Sequence, residues 1–252
     1  MSTRPRVGLF VTCLVDLVRP QVGFAAVKLL EQAGCDVEVP AAQTCCGQPA
    51  WNAGADGDAV QIARNVIAAF EGFDYVVVPS GSCGGMIKRH YTEVFEKDAA
   101  WLARARALAA KTHELMSFLV KVRGMSGVTA QFAKKVCIHD SCSSLREMGV
   151  KAEPRALLAS VGGLSIAELA DPQTCCGFGG LFSVKYPEIS ERMADDKIAD
   201  ACATGADVLT GGDLGCLLHL KGRMARQGKT LQVRHAAEIL ADMGGEPALG
   251  EP

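Results

Sequence analysis

Gln43-Thr44-Cys45-Cys46-Gly47 recurs residue for residue as Gln173-Thr174-Cys175-Cys176-Gly177, and each copy sits inside a matching set of more distant cysteines. Upstream, Cys13 precedes Cys45 by 32 residues and Cys142 precedes Cys175 by 33. Downstream, Cys83 follows Cys46 by 37 and Cys216 follows Cys176 by 40. Such spacing reads as a metal site duplicated together with the fold that carries it.

The match extends beyond the cysteines. Arg6-Val7-Gly8-Leu9-Phe10-Val11-Thr12-Cys13 lines up without gaps against Lys135-Val136-Cys137-Ile138-His139-Asp140-Ser141-Cys142, and both read as a buried strand that empties into a cysteine turn. The overlay sorts the eleven cysteines. Eight fall in two quartets, Cys13, Cys45, Cys46, Cys83 and Cys142, Cys175, Cys176, Cys216. Cys35, Cys137 and Cys202 have no cysteine counterpart and are expected to pack in the core, where free cysteine is common.

Each half alternates apolar runs with helical periodicity, the pattern of a mostly parallel sheet flanked by helices. The expected fold is α/β, two pseudo-repeated Rossmann-like halves spanning residues 1–125 and 130–252. In the first half, strands over Val7 to Val11, Val37 to Pro40 and Tyr75 to Val78 would each deliver a cysteine loop, with helices near Val22 to Gln32 and Asp58 to Phe70. The second half repeats this order, with helices near Pro154 to Ser160 and Ser190 to Ala203 and a strand over Val208 to Thr210. Lys111 to Val120 and Val233 to Met243 read as a matching final helix, each opening near a histidine, His113 or His235. Thr92 to Ala107 reads as a helical insertion particular to the first half. Loops after the carboxyl ends of parallel strands converge on one rim, which is how cysteines far apart in sequence can meet.

Composition narrows the function classes. At 252 residues and 49% hydrophobic content the chain can bury a substantial core. A net charge of -2, with no basic run interleaved with aromatics, leaves no electrostatic footprint for nucleic acid. Arg4 and Arg6 ahead of the apolar stretch Val7 to Val15 imitate a secretory signal. Asp16 and Arg19 interrupt that stretch, no A-x-A cleavage pattern follows, and the same strand recurs before Cys142. No segment approaches the roughly 18 apolar residues of a membrane span. An odd number of cysteines without a leader places the chain in a reducing cytoplasm, where thiolates bind metals.

Four thiolates can hold a tetrahedral zinc or a four-iron cluster. The paired C-x-x-C knuckles usual for zinc do not occur. Neighbouring side chains diverge, so adjacent cysteines suit different irons of a cluster better than one small ion. Gly47, Gly177 and Gly84-Gly85 would allow close backbone approach and supply amide donors. Two stabilising zinc sites remain the bland alternative. A dithiol–disulfide enzyme fits less well, because vicinal disulfides are strained.

These residues resemble the duplicated cysteine-rich, or CCG, domain of heterodisulfide reductase and of related oxidoreductases. That consensus ends in C-x-x-C. Here Met86 and His219 stand where the last cysteine would be, so the resemblance implies a conventional four-iron cluster on four cysteines, with His219 a candidate extra ligand and Met86 a packing residue. A closer resemblance is to the bacterial lactate-utilisation protein A family, two such domains and little else, and it covers nearly the whole chain. Its carriers are Gln43 to Asn52, Ser82 to Ile87, His139 to Cys142 with Leu145-Arg146, Cys175 to Gly180 with Phe182 to Pro187, and Gly215 to His219. Ser143 stands where the family often has histidine, so no imidazole role carries to it. The resemblance implies two 4Fe-4S clusters, with zinc in one site as the alternative. It also implies membership of a complex that oxidises L-lactate to pyruvate, with a ferredoxin-type iron–sulfur subunit and a third small subunit as partners. The more distant resemblance implies a disulfide-reducing role instead.

Other motifs carry less. Gly177-Phe178-Gly179-Gly180 does not complete G-x-G-x-x-G, because Phe182 occupies the last position, so no flavin or nicotinamide site is inferred. His139-Asp140 could be an acid–base pair or a structural strand end. His113 and His235 read as helix-start packing or as tuners of a nearby cluster. Lys185 and Tyr186 could attract a carboxylate or lie idle at the surface. The charged residues from Glu188 to Asp200 read as the solvated face of a helix.

Overall fold

The computed structural model describes residues 4–251; Met1 and Pro252, the outer ends of the expected repeats, lie outside the described residues. β1 (Arg6–Leu9), β2 (Asp36–Glu38), β3 (Tyr75–Val78) and β4 (Thr112–Glu114) pair in the order β2-β1-β3-β4. β5 (Lys135–His139), β6 (Ser165–Ala167), β7 (Val208–Gly211) and β8 (Gln232–His235) pair in the order β6-β5-β7-β8. Every pairing of these strands is parallel. The α/β fold of two pseudo-repeated halves is the one observed.

Local sequence explains the strand roles. β1 and β3 lie centrally and each buries three consecutive residues, as strands covered by helices on both faces do. β2, at the edge, is only three residues long and carries Asp36 and Glu38 outward, which discourages further pairing. Helices run over Pro20–Gln32 and Asp56–Phe70 in the first half and Ala152–Leu158 and Pro187–Ala203 in the second. The first-half insertion forms helices Tyr91–Val94 and Ala99–Lys111.

Two expectations need correction. Lys111 to Val120 and Val233 to Met243 do not begin as helices, because each opens on a strand: Thr112 pairs with Val76, and Val233 with Leu209. Three or four residues are too few to display a two-residue period ahead of an apolar helical pattern. His113 therefore lies within β4. Glu114, rather than His113, corresponds to His235: Glu114 accepts from the Ser117 amide at 2.9 Å, and His235 Nδ1 accepts from the Ala237 amide at 3.2 Å, each capping the helix that follows.

The halves share one core. A single buried cluster joins Val7, Leu9 and Leu29 to Val136, Ile138 and Leu240. Helix Pro20–Gln32 packs on helix Ala236–Leu240, and helix Ala152–Leu158 packs on Leu115–Ser117. The two pairings exchange under a pseudo-two-fold rotation, an isologous arrangement within one chain. Arg19 crosses the junction to the fully buried Glu238 at 2.7 Å, and Lys28 donates to the Ala241 carbonyl at 2.6 Å. Among the described residues no helix is long and apolar enough to cross a membrane.

Candidate metal centre

Each quartet is assembled by the ends of three parallel strands. Cys13 opens helix Cys13–Val18 after β1, Cys45 and Cys46 lie in the loop after β2, and Cys83 lies in helix Gly81–Gly85 after β3. Cys142, Cys175-Cys176 and Cys216 repeat these placements after β5, β6 and β7. All eight thiols line one cavity of about 250 Å³, together with Ser80, Phe178 and Asp213. The quartets thus face a common space instead of opening on separate surfaces.

The Cys-Cys-Gly turns are built alike. Gly47 (φ 86°) and Gly177 (φ 84°) are left-handed, a conformation that L side chains resist. The turn folds the Gly47 amide back to Cys45 Sγ at 3.5 Å and the Gly177 amide back to Cys175 Sγ at 3.4 Å. In the second half the Phe178 amide adds a bond to Cys176 Sγ at 3.5 Å. Amide donors of this kind favour thiolate over thiol. The braces behind the turns differ: Tyr91, from the insertion, donates to the Cys46 carbonyl at 2.9 Å, whereas Ser190 donates to the Gly177 carbonyl at 2.8 Å.

In the first quartet, Cys13 Sγ donates to Cys45 Sγ across 3.9 Å. That bond, followed by one from Cys46, holds the Cys45 thiol far below its ordinary range, and the same bond with burial holds Cys13 far above. Cys45 is the thiolate that its neighbours are arranged to support.

The second quartet has an imidazole beside it. His139 is buried, and a ring nitrogen of His139 and the sulfurs of Cys176 and Cys216 all lie within 4.8 Å of one another. Neither ring nitrogen has a hydrogen-bond partner. Burial, followed by the charge of Lys197, pushes its pKa down to about 4, leaving the ring neutral. It does not pair with Asp140, whose carboxylate is gripped at both oxygens by Arg155 at 2.9 and 2.8 Å. Eight thiols around one cavity, with an orphaned imidazole close to two of them, fit a soft, thiolate-seeking metal or cluster.

The cysteine-rich CCG domain family matches the chain twice, over residues 7–88 and 136–221. Lactate utilization protein A 2 of Bacillus cereus (strain AH820) is 46% identical over 236 residues, covering 94% of this chain and 98% of the relative. Lactate utilization protein A of Bacillus velezensis is 48% identical over 235 residues, 93% of this chain and 98% of the relative. The chain belongs to the lactate utilization protein A family. Its fold also resembles that of a hypothetical protein from Helicobacter pylori at a TM-score of 0.69 with 11% identity, covering 98% of this chain and 52% of that one. At that identity the likeness is one of fold alone.

Several residues singled out in the sequence do not line the cavity. His219 Nε2 meets Ser190 Oγ at 3.3 Å, and its ring lies 5.8 Å from that of Phe178; it does not line the cavity. Met86 is fully buried in the first-half core. His113 packs between Tyr75 and Phe118, and His235 is buried as a helix cap. Lys185 and Tyr186 are exposed. Cys35 and Cys137 are buried as expected, but Cys202 is exposed: Ala194, Ile198 and Ala201 turn inward on helix Pro187–Ala203 and leave position 202 outside.

The range Glu188 to Asp200 is not wholly solvated either. Lys197 is 1% exposed, with Nζ bound to the Asp171 carbonyl at 2.6 Å. Its place on the Ala194–Ile198–Ala201 face was the available signal. Asp213 belongs to no motif read from the sequence, although its position three residues before Cys216 matches that of Ser80 before Cys83.

Proposed function

We propose that this chain is an iron–sulfur electron-transfer subunit of a complex that oxidises L-lactate to pyruvate. The observation that carries the reading is the opening of both repeated quartets onto one cavity. Cys13, Cys45, Cys46 and Cys83 would hold one 4Fe-4S cluster, and Cys142, Cys175, Cys176 and Cys216 the other. Such clusters, when bound, accept and release single electrons at potentials set by charge, hydrogen bonding and burial. The chain's own residues supply those settings. The Gly47, Gly177 and Phe178 amides donate to cysteine sulfur, and the low-lying Cys45 thiol presents a thiolate without a nearby base. The left-handed glycines let the backbone turn tightly beside a bulky group.

The names of the relatives, lactate utilization proteins, support lactate as the substrate. The partners proposed are a ferredoxin-type iron–sulfur subunit and a third small subunit, and the compartment is the reducing cytoplasm, where exposed thiolates survive. Anaerobically purified protein is expected to hold about eight irons and eight sulfides per chain, four of each per cluster. Reconstituted with its partners, it should be reduced by L-lactate. Zinc without sulfide in both quartets would defeat the reading.

The shared cavity also favours a second reading, a disulfide-reducing component, because a substrate of modest size could reach both quartets at once. Prereduced protein that is reoxidised by disulfides but never reduced by lactate would select it.

A further inference from the structure

His139 ends β5 and is 2% exposed, yet neither ring nitrogen is hydrogen-bonded. Buried polar groups left unpaired are costly and rare, so each calls for a ligand that the protein atoms do not supply. The nearest candidates for sharing such a ligand are Cys176 and Cys216. A ring nitrogen and the two sulfurs lie within 4.8 Å of one another without any direct bond from the imidazole to sulfur. Three donors at this spacing are close enough to be shared by one metal centre, with bonds of about 2.0–2.3 Å to a single ion or to neighbouring irons of one cluster. A separate cavity of about 10 Å³ borders His139 and Glu114. One ordered water there would satisfy one ring nitrogen, fix the ring and leave the other nitrogen for the metal.

Among the described residues the first half offers no such group. In the gap-free overlay of the two cysteine strands, the residue opposite His139 is Phe10, which is fully buried. His219, the histidine in the former cysteine position, is engaged with Ser190.

On the reading of the quartets as iron–sulfur sites, we propose that His139 is a metal ligand of the second-half centre beside Cys176 and Cys216. That centre is then a mixed imidazole–thiolate site, while the first-half centre is held by thiolates alone. A four-iron cluster takes one protein ligand per iron, so the imidazole holds its iron in place of one of the quartet's four thiolates; the ligand set then carries one negative charge less and the reduction potential is higher. The second centre is therefore the stronger electron acceptor, and electrons entering at the first run toward it.

Pulsed electron paramagnetic resonance of the reduced full-length protein, grown on unlabelled or nitrogen-15 histidine, reads the bond directly. A strongly coupled histidine nitrogen that changes with labelling is expected in the unmodified protein. It should persist in His219→Ala and vanish in His139→Phe, the residue of the first half. The unmodified protein decides the matter even if His139→Phe fails to fold. Full iron and sulfide content with no strongly coupled nitrogen overturns the ligand assignment and leaves the iron–sulfur reading intact. If the protein instead carries zinc and no sulfide, that reading fails, and cobalt(II)-substituted protein answers the ligand question. A histidine nitrogen on cobalt that is lost in His139→Phe sustains the assignment, and its absence from the unmodified cobalt protein ends it.

Discussion

Ser80 Oγ donates to Asp213 Oδ2 at 3.0 Å, joining two residues that hold the same position in opposite halves of the chain. Each caps the helix that carries the last cysteine of its quartet, and each lies three residues before that cysteine. Asp213 Oδ2 also accepts from the Ser82 amide at 2.9 Å, and Oδ1 from the Gly215 amide at 3.2 Å. One carboxylate therefore ties the helix of Cys83 to the helix of Cys216.

Asp213→Ala leaves the Ser82 and Gly215 amides without their acceptor in a buried setting. Stability in urea should fall by about 2–4 kcal/mol, the cost of orphaning donors that a charged group had satisfied. Metal retention should weaken in both quartets together. Loss confined to the second quartet would show that the tie does not couple the sites.

Cys46→Ser should remove about half of the bound iron, since four-iron clusters are filled or lost as units. Loss of all iron would mean that the shared cavity holds one joint centre. Cys35→Ser, Cys137→Ser and Cys202→Ser should keep full iron content, because none of the three lines the cavity. Iron and sulfide analysis of the four variants settles the sorting.

Gly177→Ala should cost more than Gly47→Ala, though the two share a left-handed backbone. A Cβ at Gly177 would stand 2.5 Å from the Ser190 carbonyl oxygen, which is backbone, whereas at Gly47 it would stand 3.2 Å from a methyl of Ile62. The left-handed conformation alone costs about 1–2 kcal/mol in either variant. Thermal unfolding of both should show the larger drop for Gly177→Ala; equal drops would mean that the Ser190 segment yields freely.

Glu114 makes stability depend on pH. Burial raises its carboxyl to about 7. Between about pH 4.3 and pH 7 the folded chain keeps a proton that the unfolded chain sheds, so stability falls as pH rises through that window, by on the order of 3 kcal/mol in all. Glu114→Gln keeps an acceptor for the Ser117 amide and removes the titration. Urea unfolding should show the variant gaining on the parent from pH 5 to pH 8. A constant difference would place the carboxyl in its ordinary range.

The central strands β1, β3, β5 and β7 were legible because their residues are apolar, and β1 and β5 also because their signature occurs twice; the short edge strand β6 was not read from the sequence. Tyr75 to Val78 is found where its β-branched run predicts. β4 and β8 were hidden because Thr112–Glu114 and Gln232–His235 are short and mixed in polarity, and acquire strand character only by pairing with β3 and β7. Spacing sorted the cysteines into two sets but could not bring both sets to one cavity. That proximity depends on packing between the halves, carried by contacts such as Arg19 with Glu238, 219 residues apart. His139 stood in the aligned strand, yet only its burial without a partner distinguishes it from a strand-end histidine.

The pseudo-two-fold junction has a consequence for how such a protein can change. In an assembly of two identical chains, any substitution near one site arrives in duplicate, and the two sites stay chemical twins. Joined in one chain, the halves also remain at high effective concentration, so their association survives dilution. Phe10 on one side and His139 on the other is a difference that only the joined chain can hold. Linkage lets the two halves diverge.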